Sequence, residues 1–336
     1  MEPFVDSTRY VNDGLELRTR MNRDGYLYIR NLLPQQIIEE LRLKWLGILG
    51  EAGWLKKGTA SESGIPNLDA FCVEPEIPYM EVMTKVFSLI EYHSIPHHSN
   101  VVGFFERMLG GTIMNHPRLI GRTIFPQRTD YTTPPHQDWI PIQGTPETYT
   151  AWIPLSDITK AMGGLQLCTG SHQSGIYDFQ PALGAGAMEV VDPLEGKWVN
   201  NPMQQGDIIF FHSMMVHKGV SNNARQLRLS MDARFQRTDQ PICPNSLEPH
   251  GKEVRDWKAI YKDWPQNNQL KYYWKQYDLR FQPYDLSYNE KRDQLGFAMA
   301  AAGDPRALSV LQRIIARGDD TAKRVKAEKL LAKLKN

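Results

Sequence analysis

Gln226-Leu227-Arg228-Leu229-Ser230-Met231-Asp232-Ala233-Arg234-Phe235 alternates strictly between polar and apolar side chains. Successive side chains of a strand point to opposite faces. Leu227, Leu229, Met231, Ala233 and Phe235 therefore share one face, and Arg228, Ser230, Asp232 and Arg234 share the other. If the apolar face packs on a partner layer, the polar face lines a cavity. There Arg228 can grip a carboxylate through a bidentate fork, with the Ser230 hydroxyl as an additional donor.

Upstream, Gly206-Asp207 is a turn signal that leads into the apolar run Ile208-Ile209-Phe210-Phe211-His212, which reads as a buried strand with His217 just beyond it. Further upstream lies His136-Gln137-Asp138. In an extended segment residues i and i+2 project from one face, so His136 and Asp138 converge on one ion while Gln137 points away. Two histidines and one aspartate can occupy one face of Fe(II) and leave positions open for an organic acid and dioxygen. Closed zinc sites use four protein ligands, commonly thiolates, and Cys72, Cys168 and Cys243 show no paired spacing. The pattern points to an oxygenase site.

The chain resembles the phytanoyl-CoA dioxygenase family of Fe(II)/2-oxoglutarate oxygenases. The resemblance rests on Asp24-Gly25-Tyr26-Leu27-Tyr28-Ile29-Arg30, His136-Gln137-Asp138, Ala151-Trp152-Ile153-Pro154-Leu155, Gly163-Gly164-Leu165 with Gly170-Ser171-His172, and Gly206-Asp207 through His217 to Arg228. These stretches keep the family's order, which is far more specific than a lone HxD. The resemblance implies a double-stranded β-helix, a cupin-like jelly roll with flanking helices. It implies iron on His136, Asp138 and His217, and the distal carboxylate of 2-oxoglutarate on Arg228. Trp152 matches a family position bordering that cosubstrate, and dioxygen is the other cosubstrate. The implied reaction is oxidation of a small-molecule metabolite, with hydroxylation the default outcome and release of succinate and CO2. Because Asp138 supplies a carboxylate, halogenation is disfavoured. Two other readings stay open, a jelly roll that binds metal without turnover and a cupin-like isomerase or hydrolase that needs neither Arg228 nor oxygen.

Other residues carry competing readings. Arg228 also fits a salt-bridged surface arginine, and Trp152 a core aromatic of the strand Thr150 to Leu155. Arg118 and Arg122 share a strand face, with Arg128 in the loop beyond. One of these could pair with an acidic substrate, and Arg234 could join in, whereas Arg118 and Arg128 read rather as solvated charges. His172 and His212 read as structural. His93, His97 and His98 read as a solvated turn.

With 336 residues, 41% hydrophobic and 23% charged, the chain can enclose a sizeable core. The formal net charge of +1 gives no global case for nucleic acid. The first residues lack the basic start and apolar run of a signal peptide, no stretch is long and apolar enough for a membrane span, and three irregularly spaced cysteines suit a reducing compartment; a cytoplasmic location is expected.

The expected organisation is an oxygenase core over residues 1–240, with a support helix after Pro34 carrying Ile37, Ile38, Leu41, Trp45, Ile48 and Leu49. The Gly-, Pro- and Ser-rich segment 51–80 reads as a loop that could cover the site. Residues 241–336 form an aromatic-rich extension packing on the core. It ends in a helical hairpin that begins at Asp304-Pro305 and breaks at Gly318, whose apolar faces could dock on the barrel or form a homodimer.

Overall fold

In the computed structural model, which describes residues 2–184 and 186–335, the alternating stretch is a long strand over Arg228–Arg237. It is the last of eleven strands among the described residues: β1 (Tyr26–Ile29), β2 (Ile113–Asn115), β3 (Ile120–Ile124), β4 (Tyr149–Pro154), β5 (Gly164–Cys168), β6 (Phe179–Pro181), β7 (Met188–Val190), β8 (Trp198–Val199), β9 (Ile208–His212), β10 (His217–Val220) and β11 (Arg228–Arg237). The larger sheet runs β1-β9-β4-β11-β2, with β3 also pairing β11. A smaller sheet runs β10-β5-β8, and β6 and β7 form a separate ribbon. All the strand pairs are antiparallel, as a jelly roll requires.

The period-2 pattern sorts the side chains of the larger sheet into two cores. Leu229, Met231, Ala233 and Phe235 of β11, Ala151 and Ile153 of β4, and Ile208 and Phe210 of β9 face outward into the main hydrophobic core. Their neighbours Trp152, Ile209 and Phe211 face inward and join Leu165 and Leu167 of the smaller sheet in an inner core. A one-residue slip would exchange the two sets, so the pattern fixes the register.

Helices cover the outer face. They are α1 (Gly14–Asp24), α2 (Gln35–Glu51), α3 (Ile77–Val86), α4 (Ile90–Ser94) and α5 (Ser99–Leu109); elsewhere lie α6 (Trp139–Ile142), α7 (Trp257–Ile260), α8 (Ser287–Ala301), α9 (Leu308–Arg317) and α10 (Thr321–Lys335). Pro34 sits at the N-cap of α2. From α2, Ile38, Leu41, Trp45 and Leu49 are fully buried against the sheet. Trp45 adds a buried hydrogen bond from its indole N–H to the Thr123 hydroxyl at 3.0 Å, tying the support helix to β3. The helix α1 ends on Gly25, whose φ of 80° is the left-handed conformation that a glycine cap adopts without strain.

In the aromatic segment Trp257, Ile260, Tyr261, Trp264 and Trp274 cluster against Met114 of β2. Tyr273 donates to the Asn115 carbonyl at 2.6 Å, and Trp264 to that of Ser88 at 2.7 Å. This cover changes the reading of His93. Instead of a solvated turn it lies buried in α4, 5.1 Å from the Trp264 ring and hydrogen-bonded to the Phe87 carbonyl.

The C-terminal hairpin of α9 and α10 is joined by a third helix. Besides α9 and α10 there is α8, which buries Phe297 and Ala300 but carries no continuous stripe of large apolar residues. It approaches α9 closely because residue 296 is glycine; a Cβ there would stand 2.7 Å from Val310 Cγ1. The apolar faces of the three helices pack mainly on one another. Among the described residues no helix is long and apolar enough to cross a membrane.

Candidate metal centre and adjoining cavities

The smaller sheet is joined to the segment before α6 by a backbone exchange between His136 and His217. The His136 N–H donates to the His217 carbonyl at 2.9 Å, and the His217 N–H returns to the His136 carbonyl at 3.0 Å. His217 opens β10, so this bridge extends the smaller sheet by one residue pair. The segment is extended only as far as the bridge. Asp138 already has φ −69° and ψ −26° and caps the short helix α6, so HxD lies at a strand-to-helix corner rather than along a regular strand.

At that corner the ligand atoms of His136, Asp138 and His217 lie within 4.8 Å of one another. Both imidazole Nε2 atoms stand 3.9 Å from Asp138 Oδ1. Each ring is aimed by its other nitrogen. His136 Nδ1–H donates to the Pro134 carbonyl at 2.8 Å, and His217 Nδ1–H to the Met215 carbonyl at 3.0 Å. This leaves the Nε2 lone pairs facing the centre, the usual arrangement around a metal-binding histidine. Asp138 divides its oxygens likewise. Oδ2 accepts from Thr150 Oγ1 at 2.7 Å and from Arg234 Nη2 at 3.2 Å, while Oδ1 faces the histidines.

Electrostatics prepare these groups to bind a cation. Burial, followed by the neighbouring His217, pushes the His136 imidazole down to about 3, so it is neutral and able to ligate. Burial pushes the Asp138 carboxyl up, but Arg234 and both histidines more than reverse this and keep it ionised. Two imidazoles and one carboxylate on one face fit a divalent iron with open positions.

Two cavities adjoin this centre, and His136, Asp138 and Arg122 line both. The smaller, about 30 Å³, is also bordered by Trp152, His217, Arg228, Ser230 and Asp232. Arg228 is buried, not a surface arginine. Its Nη1 donates to the carbonyls of Val220 at 2.6 Å and Met162 at 3.0 Å, while its Nε is buried without a partner among the described residues. Burial pushes its guanidinium down to about 10, leaving it charged. A fixed fork with an idle donor fits a carboxylate guest. Trp152 packs in the inner core and also borders this cavity.

The larger cavity, about 100 Å³, contains residues that the sequence reading missed. Glu74 reaches it from the irregular segment before α3, His250 from beyond β11, and Arg313 and Arg317 from α9. Arg118 lines it too and is only partly exposed, which corrects its reading as a solvated surface charge. Arg128 does remain exposed, over the Phe71 ring. His172 and His212 stay outside both cavities.

A model of the phytanoyl-CoA dioxygenase family matches residues 21–230. The chain belongs to this family. Among curated relatives, 1-deoxypentalenic acid 11-beta-hydroxylase of Streptomyces exfoliatus is 26% identical over 279 residues, covering 76% of this chain and 93% of the hydroxylase. Peroxisomal phytanoyl-CoA dioxygenase of Homo sapiens is 23% identical over 236 residues, 67% of this chain and 69% of that protein. Among solved structures, the non-haem α-ketoglutarate-dependent carbocyclase SnoK from nogalamycin biosynthesis aligns with a TM-score of 0.48 and 19% identity, over 71% of this chain and 89% of that one. This member of the phytanoyl-CoA dioxygenase family is a non-haem Fe(II)/2-oxoglutarate-dependent dioxygenase of a small molecule, with dioxygen as its other cosubstrate. Its fold is the double-stranded β-helix.

Proposed function

We propose that His136, Asp138 and His217 hold the iron, that Arg228 binds the distal carboxylate of 2-oxoglutarate, and that the enzyme hydroxylates its substrate. The observation that carries this reading is the division of labour at Asp138. One oxygen is occupied by Thr150 and Arg234, and the other stands at equal distance from two correctly turned histidines. Iron with 2-oxoglutarate and dioxygen supplies the oxidising chemistry, and the protein supplies binding and orientation.

In this reading Ser230 and Trp152 border the cosubstrate beside Arg228. Arg122, 3.4 Å from Asp232 and 3.6 Å from Glu74, stands where cosubstrate and substrate sides meet. Residues 1–240 form the catalytic core, and 241–336 an extension that completes its second cavity. The three cysteines are buried and free, in keeping with a cytoplasmic location.

The test is an anaerobic titration of the protein with Fe(II) and 2-oxoglutarate, followed by absorption spectroscopy. A metal-to-ligand charge-transfer band is expected in the wild type, lost in Asp138→Ala and demanding more 2-oxoglutarate in Arg228→Ala. Folded, iron-loaded wild type without the band would overturn the proposal.

A further inference from the structure

The two cavities at the centre differ in charge. Among the described residues, the larger is lined by five arginines, Arg118, Arg122, Arg234, Arg313 and Arg317, and by two carboxylates, Glu74 and Asp138. Five positive charges against two negative leave an excess of three, to which a divalent ion would add. The three histidines facing it are pushed down mainly by burial, His116 and His250 to about 4 and His136 to about 3, and are neutral.

Following the contacts shows which arginines lack a counter-charge. Arg234 is engaged by Asp138 at 3.2 Å, and Arg122 by Asp232 at 3.4 Å. Arg317 has Glu74 at 3.2 Å and Glu253 at 3.1 Å. Glu74 is thus already held by Arg317, and by His250 at 3.3 Å. Arg313 has only a distant share of it at 3.7 Å, and its Nε is buried without a partner. Arg118 donates to the Asn245 carbonyl at 3.0 Å and makes no ion pair among the described residues. Burial and then the neighbouring Arg317 push both guanidiniums down, Arg313 to about 9. Burying a cation without its anion is expensive unless a guest supplies one.

We infer that Arg118 and Arg313 bind a carboxylate of the substrate, so that the C-terminal extension supplies the recognition end of the pocket whose other end is the metal centre. The inference rests on the proposed metal ligands for the identity of that other end. Arg313 and Arg317 lie one turn apart on α9, well beyond the family match that ends at residue 230, so recognition and chemistry come from different parts of the chain. A cavity of about 100 Å³ has room for roughly three water molecules, which suits a carboxylate and the first carbons attached to it.

The experiment is calorimetry on the full chain under anaerobic conditions, with and without Fe(II) and 2-oxoglutarate. The probes are cyclohexanecarboxylate, its primary amide and inorganic phosphate at millimolar concentration. The acid is expected to bind about tenfold more tightly than the amide, and Arg118→Gln and Arg313→Gln each to weaken the acid about tenfold while leaving the amide unchanged. Arg313→Lys, which keeps the charge and spares the fold, is expected to fall between wild type and Arg313→Gln. Equal binding of acid and amide, no binding of the acid, tighter binding of phosphate, or full acid affinity in the folded variants would each overturn the inference. The charge-transfer band in the same samples separates the two proposals. Its absence from wild type counts against the metal centre, whereas a normal band without acid preference counts against the arginine pair alone.

Discussion

Thr150 and Arg234 stand directly opposite each other on β4 and β11, and both donate to the same oxygen of Asp138. A cross-strand pair thus fixes the carboxylate. Because the pairing is part of the sheet, Asp138 holds its orientation without help from an ion. Thr150→Val removes one donor at nearly constant volume and is expected to weaken Fe(II) binding about 10- to 100-fold with little change in fold, as measured by anaerobic metal titration.

Arg228 is held by two backbone carbonyls and has a buried Nε to spare. Arg228→Ala is expected to raise the KM for 2-oxoglutarate about 10- to 100-fold, the loss of a charge-assisted fork, with a smaller change in kcat. Initial rates of succinate formation over a range of 2-oxoglutarate concentrations provide the check, and an unchanged KM would remove Arg228 from the cosubstrate site.

Glu74 gives the apo-protein a definite response to acid. Burial pushes its carboxyl up, but His250, Arg317 and Arg122 outweigh burial and hold it well below its ordinary value of 4.5. Its folded pKa is therefore depressed, so its stabilisation is present above pH 4.5 and is lost as the pH falls from there toward the folded value. Glu74→Gln is expected to lower stability by about 3 kcal/mol at neutral pH, with a flatter Tm profile than wild type on acidification. Thermal melts from pH 7 downward distinguish the two curves.

Gly296 lets α8 and α9 touch. A Cβ there would meet Val310 at 2.7 Å, so Gly296→Val should cost about 1–3 kcal/mol in overpacking strain. Because Arg313 and Arg317 ride on α9, the same change is expected to weaken carboxylate binding without disturbing the 2-oxoglutarate band. Chemical denaturation and the calorimetry described above measure the two effects.

Local patterns made the barrel readable. Strict alternation in residues 226–235 located the strand and assigned both its faces, and the apolar run ending at His212 located β9, which lies in the same sheet on the far side of β4. His136, Asp138 and His217 were legible because their residue types are rare together in that order. Glu74, His250, Arg313 and Arg317 were not, since each looks like an ordinary polar residue in its own segment and they become one group only through tertiary folding. His93 was misread for the same reason, because the aromatic rings that bury it come from the far end of the chain. The helix α8 escaped notice because its buried face combines the charged Arg292 and Asp293 with Gly296, Ala300 and a single large apolar residue, Phe297, instead of an apolar stripe.

The mutual backbone hydrogen bonds of His136 and His217 make the two imidazoles a single rigid socket. Small metal-dependent domains gather their ligands only when the ion arrives, so uptake and folding are one event. Here the ligands are set by the closure of the barrel itself. If these residues hold the iron as proposed, it would enter, leave or be exchanged for another divalent ion in a finished protein, and loading would become a question of which metal the surroundings offer after folding is over.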